Sequence, residues 1–154
     1  MSDPNVIRID SIDKEILKIL RSNARIKLRE LARLTHIPTS TIYDRIKRLE
    51  KMGLIKKYTT KIDYRLLGYQ IKALILASVE GAHIIDVEKE ISKNPHVIAL
   101  YDITGEYDVA IIALFKTIEE LDHFVKNLLR NPYVKHTTTS IVFRTVKEEY
   151  TLPI

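Results

Sequence analysis

The sequence predicts an α+β protein of two modules, a three-helix helix-turn-helix unit followed by a ferredoxin-like βαββαβ unit. Three observations predict it. Charge is divided unevenly along the 154 residues: residues 1–60 hold 14 basic and 7 acidic side chains, net +7, and residues 61–154 hold 11 and 13, net −2. Such a sign change marks a basic module joined to an acidic one. Apolar residues recur at helical spacing over 10–53 and then give way to apolar runs of strand length. Finally, Asn94-Pro95-His96-Val97 and Asn131-Pro132-Tyr133-Val134 repeat one helix-exit signal 37 residues apart.

The composition removes several classes. A hydrophobic fraction of 45% with 29% charged residues is too apolar for a disordered chain. Zero cysteines exclude disulfides, thiolate metal sites and thiol nucleophiles, and fit a reducing cytoplasm, the expected location. Met1-Ser2-Asp3-Pro4-Asn5 has neither a basic segment nor a following apolar one, so no secretory signal is expected. The longest apolar run, Val109–Phe115, falls far short of the ~20 residues that cross a bilayer, so no membrane partner is expected.

The first helix is predicted from Ile12, Ile16, Ile19 and Leu20, behind Asp10 and Ser11, either of which can cap it. A second follows from Leu28, Leu31, Ala32 and Leu34, ending near Thr35-His36. The third covers about 39–52, with Ile42, Ile46 and Leu49 along one face and Gly53 as the residue after its end. Only about four residues separate the second from the third, which is the helix-turn-helix spacing. At 100° per residue, Ser40, Tyr43, Asp44, Lys47, Arg48 and Lys51 fall opposite the apolar stripe. A basic, hydroxyl-bearing helix face suits phosphate contacts and base edges in a major groove. With Thr39, Thr41 and Arg45 these residues form the candidate DNA-binding set, and no catalytic or metal-binding residue is assigned.

Residues 55–62, with Ile55, Tyr58, Thr60 and Ile62 among Lys56, Lys57 and Lys61, read as a wing or connecting strand, and 64–68 as a short turn or helical piece. The expected division is 1–54 for DNA binding, 55–69 as connecting strand or hinge, and 70–154 as oligomerising domain, to which the family resemblance given below adds effector binding. In the last, Ile71–Val79 reads as a buried strand and Ile84–Ile91 as a helix closed by Asn94-Pro95. Apolar runs at 97–104 and 108–115 flank Gly105-Glu106-Tyr107, a hairpin turn. Thr117-Ile118-Glu119-Glu120 opens a capped helix with Leu121, Phe124, Val125, Leu128 and Leu129 inside, and 134–146 alternates as a closing strand. Two helices on one side of a four-stranded sheet leave its other face to be covered, so two copies are expected to pack sheet to sheet or edge to edge.

Leu31-Ala32, Ile42, Arg45-Ile46-Lys47-Arg48-Leu49-Glu50 and Gly53-Leu54-Ile55 resemble the winged helix-turn-helix of the leucine-responsive regulatory protein/AsnC family, and Asp10-Ser11-Ile12-Asp13 with Ile16-Leu17 resembles its opening helix. Two departures stand out: Pro38 replaces a frequent Ser cap, so the cap passes to Thr39 or the helix starts with Pro38 at its first position, and Asp44 stands where a basic residue is common. Gly105-Glu106-Tyr107-Asp108 is similar to the Gly-x-Tyr-Asp signature of the family's effector domain. That resemblance implies an amino-acid effector sensed at contacts between dimers, and an assembly of dimers into tetramers or octamers. An amino acid needs an anion for its ammonium, for which Asp102 and Asp108 are candidates. Its carboxylate needs donors, for which the backbone around Gly105 and the side chains of Thr137, Thr138, Thr139 and Ser140 are candidates. Tyr101, Thr104 and Tyr107 complete the candidate effector set.

No H-E-x-x-H, P-loop or G-x-G-x-x-G occurs in a chain with four glycines. His36, His83, His96, His123 and His136 are scattered, and Asp122-His123 points in two directions on one helix. An enzyme is not expected, and neither is a cofactor other than an amino-acid effector. The expected function is a sequence-specific transcription regulator on double-stranded DNA, reading a palindromic operator as a homo-oligomer. Two other readings fit the same residues: an effector-independent architectural protein that coats DNA, and an amino-acid-sensing interaction module without DNA binding.

Overall fold

A computed structural model describes residues 8–149; the Met1-Ser2-Asp3-Pro4-Asn5 opening read above, and the end of the 70–154 domain, lie outside them. The chain divides into two compact units, Met1–Lys61 and Ile62–Lys147, with Glu148 grouped with the first.

The first unit consists of α1 (Ser11–Ser22), α2 (Leu28–Thr35) and α3 (Thr39–Lys51). Asp10 caps α1 in a reciprocal box: its carboxylate accepts from Asp13 N at 2.8 Å while Asp13 Oδ2 accepts from Asp10 N at 3.1 Å. Ile16, Leu31, Ile42 and Ile46 form the core, with Ile12, Ile19, Leu20, Ile26, Ile37 and Ile55 packed around them. His36, Ile37 and Pro38 make the turn from α2 to α3. His36 takes the left-handed conformation (φ 56°, ψ 30°) that ends α2. Pro38 occupies the cap position of α3 and offers no side-chain acceptor. The helix therefore begins at Thr39 with Pro38 outside it, rather than with a Thr39 cap or with Pro38 as its first residue. Gly53, at φ 73°, closes the helix in the left-handed region where glycine is favoured.

Two features of this unit differ from the expected ones. Leu34 is 46% exposed, because Leu31 and the methyl-bearing Thr35 take the inward positions on so short a helix. Residues 55–62 form no strand: among the described residues no segment makes a backbone ladder with them, and the stretch is held by Ile55 against the core and by Tyr58 against α3 instead.

The second unit opens with a 3-10 turn at Tyr64–Leu67, capped by Asp63 and closed by Gly68 at φ 89°. β1 (Ile71–Val79), α4 (Ile84–Ile91), β2 (Val97–Asp102), β3 (Val109–Phe115), α5 (Ile118–Arg130) and β4 (Val134–Ile141) then follow. The sheet order is β2-β3-β1-β4, antiparallel throughout, the split βαββαβ arrangement. Alternation decides its faces. Ala73, Ile75, Ala77 and Val79 of β1, with Val109, Ile111, Ala113 and Phe115 of β3, pack against Val87 and Ile91 of α4 and Leu121, Phe124 and Leu128 of α5. Leu74, Leu76 and Ile112 lie on the opposite face, which no helix covers.

The repeated Asn-Pro signal has a common cause. Asn94 Oδ1 accepts from His96 N and Asn131 Oδ1 from Tyr133 N, each at 3.0 Å, so each side chain turns the chain from a helix into a strand. Thr117 caps α5 by accepting from Glu120 N, while Glu120 reaches back to Lys116 N. Leu129 is 48% exposed rather than inside, one step beyond the buried edge formed by Leu128. β4 ends at Ile141 instead of continuing to 146: its ladder with β1 stops at the Ala73–Ile141 pair and the bond from Val142 N to Lys72 O, and β1 itself begins at Ile71, too late to pair residues as far as 146.

Candidate nucleic-acid interface and ligand site

The outward side of α3 is built by its inward one. Ile42, Ile46 and Leu49 are buried at i, i+4 and i+7, which leaves Thr39, Ser40, Thr41, Tyr43, Asp44, Lys47, Arg48 and Lys51 exposed. Three hydroxyls thus stand at the N-terminal turn, where helix N–H groups face anions, and two lysines follow further along. Lys47 Nζ sits 5.8 Å from the Tyr43 ring centre and 2.9 Å from Glu50 Oε2, and Tyr58 donates its hydroxyl to Glu50 Oε1 at 2.9 Å. Glu50 therefore ties Tyr58 to α3, and its hydrogen bond raises the Lys47 ammonium above its ordinary value.

Arg45 and Arg48 are placed differently from the lysines. Arg45 Nη1 donates to Asp10 Oδ2 at 2.7 Å and to Asp13 Oδ1 at 2.9 Å, and Arg48 Nη2 donates to Asp13 Oδ2. The Asp13 side chain is wholly buried, Arg45 is 23% exposed and Arg48 45%. The two carboxylates and two guanidiniums join α1 to one flank of α3. Sequence reading missed the acidic half, since Asp10 and Asp13 stand 32–35 residues from the arginines and carry only a capping signal. Burial pushes the Asp13 carboxyl up, but bonds from Arg48, the Asp10 backbone and Arg45 outweigh it and hold it below 3.8. Asp10 is lowered by the Asp13 backbone N–H and then by Arg45.

Because both carboxyls are depressed in the folded state, their stabilisation is complete above the unfolded value of 3.8 and is lost as pH falls through the lower folded values. Protection factors of the α1 and α3 amides, which remove the intrinsic pH dependence of exchange, should therefore fall as pH is lowered below about 3.8. Asp13→Ala, which leaves both guanidiniums short of an acceptor, should cost about 2–3 kcal/mol at pH 7 and flatten that pH dependence. Unchanged protection in the variant would contradict the clamp.

The second unit separates the candidate effector residues onto two faces and two edges. Asp102, Val109, Ala77 and Thr137 lie in one register row on the helix side, and Tyr101, Ala110, Leu76 and Thr138 in the next row on the open side. β2 and β4 are the two sheet edges, so Asp102 and Thr137 stand three strand spacings apart, roughly 14 Å. Thr139 shares the helix side and Ser140 the open one. Asp102 faces a shallow groove with Ile85, Glu88, Lys89, Ser92 and Leu100. One copy of the chain thus does not join Asp102 to the Thr run.

The β2–β3 turn gathers a different group. Gly105, at φ 124°, and exposed Thr104 carry the chain over, and Ile103 N donates to Asp108 O at 2.8 Å. The Tyr107 hydroxyl lies 2.6 Å from Thr138 Oγ1, and its ring meets His136 edge-on at 5.4 Å. Asp108 Oδ2 accepts from Val79 N at 2.7 Å and from Ser78 Oγ at 3.3 Å, where the β1–β4 register shifts. This carboxylate braces the irregular end of β1, so it is partly committed before any ammonium arrives. Among the described residues no group of three or more His, Asp or Glu side chains forms a metal site, and no helix is long and apolar enough to cross a membrane.

Residues 9–56 match a family model described as winged helix-turn-helix DNA-binding, and residues 72–152 match that of the Lrp/AsnC ligand binding domain. An HTH-type transcriptional regulator of Pyrococcus furiosus is 39% identical over 146 residues, covering 95% of this chain and 99% of that protein. The HTH-type transcriptional regulator FL11 of Pyrococcus horikoshii is 38% identical over 148 residues, 96% of this chain and 98% of its own length. Among solved structures, a transcriptional regulator of Neisseria meningitidis in complex with L-methionine matches at TM-score 0.87 and 28% identity, covering 95% of this chain and 97% of that one.

Proposed function

The chain belongs to the Lrp/AsnC family of transcriptional regulators, with a helix-turn-helix DNA-binding domain and a ligand-binding domain, and on that premise we propose a sequence-specific regulator that answers to an amino acid. One observation carries the DNA half: α3 is held by a buried stripe and presents Ser40, Thr41, Tyr43, Lys47 and Lys51 outward from a module of net +7. Thr39 and Asp44 share that face. Lysines meet phosphates, while hydroxyls, Tyr43 and the Asp44 carboxylate select base edges. DNA-binding module 1–54, connecting segment 55–69, and ligand-binding and oligomerising module 70–154 divide the work of a cytoplasmic protein.

The open face of the sheet, with Leu74 37% exposed beside Leu76 and Ile112, supports a homodimer formed through that face. A two-fold dimer presents two α3 helices to a palindromic operator with half-sites about 34–36 Å apart. The effector is proposed as an amino acid because a relative is solved with L-methionine and because ammonium and carboxylate partners are available on opposite edges. Since one copy keeps Asp102 away from the Tyr107–Thr138 pair, a ligand engaging both sits between copies, and dimers assemble into tetramers or octamers around it. Effector binding alters operator affinity to the extent that it prefers one assembly.

Thermal-shift measurement with each of the twenty amino acids tests the effector. At a ligand concentration of 100 Kd, stabilisation of about 2.7 kcal/mol is expected for the cognate amino acid. Tyr107→Phe, which removes the hydroxyl on Thr138 and keeps the ring, should reduce that shift without changing the stability of the unliganded protein by more than about 1 kcal/mol. An identical shift in the variant would place the site away from this turn; no shift with any amino acid would refute the effector class.

A further inference from the structure

The arginines on the flank of α3 raise a question that the DNA reading does not answer: why the helix that meets DNA spends its two best phosphate binders on carboxylates of its own module. Guanidinium forks bind phosphate bidentately, and each one delivered to DNA releases condensed counterions. Arg45 and Arg48 instead meet Asp10 and Asp13, giving a four-member cluster of zero net charge at the edge of the DNA-facing side. Joining α1 to α3 does not require charge. The Ile16, Leu31, Ile42 and Ile46 core already does so, and burying Asp13 completely carries a desolvation cost that an apolar side chain would avoid. Arg48, 45% exposed, stands beside the outward face and is restrained there by one bond to a buried partner.

We propose that Asp10 and Asp13 are specificity-determining positioning residues of the DNA-binding module, which hold the Arg45 and Arg48 guanidiniums away from the phosphate backbone and so weaken binding to DNA of arbitrary sequence. Specific binding is read against a vast excess of other sites, so a lower non-specific affinity sharpens the ratio as well as a tighter operator contact does. The arginines are withheld rather than absent. A duplex that offers Arg48 a base edge within reach compensates for giving up the carboxylate, and plain phosphate, screened and mobile, does so less well. The inference rests on the DNA-binding reading above.

The test uses the full chain and a mixed-sequence 40-base-pair duplex, titrated at several salt concentrations. Asp10→Asn keeps an excellent cap acceptor and neutralises one of the two carboxylates that hold Arg45, so it folds even if Asp13→Asn does not. Asp13→Asn, which frees Arg48, is expected to bind the mixed duplex roughly fivefold to tenfold more tightly at 0.1 M salt, with a log–log salt slope steeper by about 0.9, and Asp10→Asn, in which Asp13 still holds Arg45, about twofold more tightly. Adding Arg48→Gln to Asp13→Asn should cancel that variant's gain. A purely structural role for the carboxylates gives the opposite sign, weaker binding to every duplex. Unchanged or weaker binding by Asp10→Asn, with wild type binding normally, overturns the inference alone. Wild type that binds no duplex even at 50 mM salt overturns the DNA reading itself.

Discussion

Replacing Phe115 by Ala is expected to destabilise the ligand-binding unit by about 3–5 kcal/mol and to lower its melting temperature by more than about 12 °C. Phe115 is fully buried at the end of β3, opposite Ile71 of β1. Its ring lies 5.3 Å from that of Phe124 on α5 and 4.8 Å from that of His96, which itself contacts Leu114 O. Truncation opens a cavity where strand, helix and the β2 entry meet, and it deprives two aromatic rings of their partner in addition to the apolar area it removes. Hydrogen exchange should locate the loss in β1, β3 and α5 and leave the α1 and α3 amides protected as before. A melting temperature within about 2 °C of wild type would show that this corner of the core does not carry the unit.

The second large effect is on DNA. Lys47→Glu with Lys51→Glu reverses both lysines on the outward side of α3, where neither contributes to the core. Giving up two phosphate partners per module corresponds to about 1.8 in the salt slope and, at 0.1 M salt, to a loss of roughly a hundredfold for one module and more for a dimer. Repulsion from the new carboxylates adds to it. Because Lys47 is 56% exposed and bridges only to Glu50, folding should change little. Binding within threefold of wild type, measured by anisotropy, would remove α3 from the interface.

The parts of the fold that were legible in the sequence are those governed by local chemistry. The α3 stripe, the left-handed Gly53, the Thr117 cap and the two Asn-Pro turns each act within a few residues, so their signals lie in a few letters. The misreadings concern partners. Residues 55–62 have the β-branched and aromatic content of a strand, but among the described residues no backbone ladder forms with them. The alternation after Ile141 likewise outlasts β1. At the sites the same limit applies more strongly. A period-two pattern puts Thr137 and Thr138 on opposite faces, but only the strand order β2-β3-β1-β4 shows that Asp102 and the Thr run occupy opposite edges. The basic content of α3 was visible, whereas the capture of Arg45 and Arg48 by Asp10 and Asp13 depends on how α1 crosses α3.

Selection of binding sites from a random duplex pool, followed by salt-dependent titration of the winner against a mixed-sequence duplex, tests the proposed regulator most directly. The account predicts one enriched two-fold motif with half-sites about a helical turn apart, bound at least about a thousandfold more tightly than mixed sequence at physiological salt, with a preference altered by the cognate amino acid. No enriched motif and equal affinity for every duplex would contradict it and leave a protein that coats DNA without reading it.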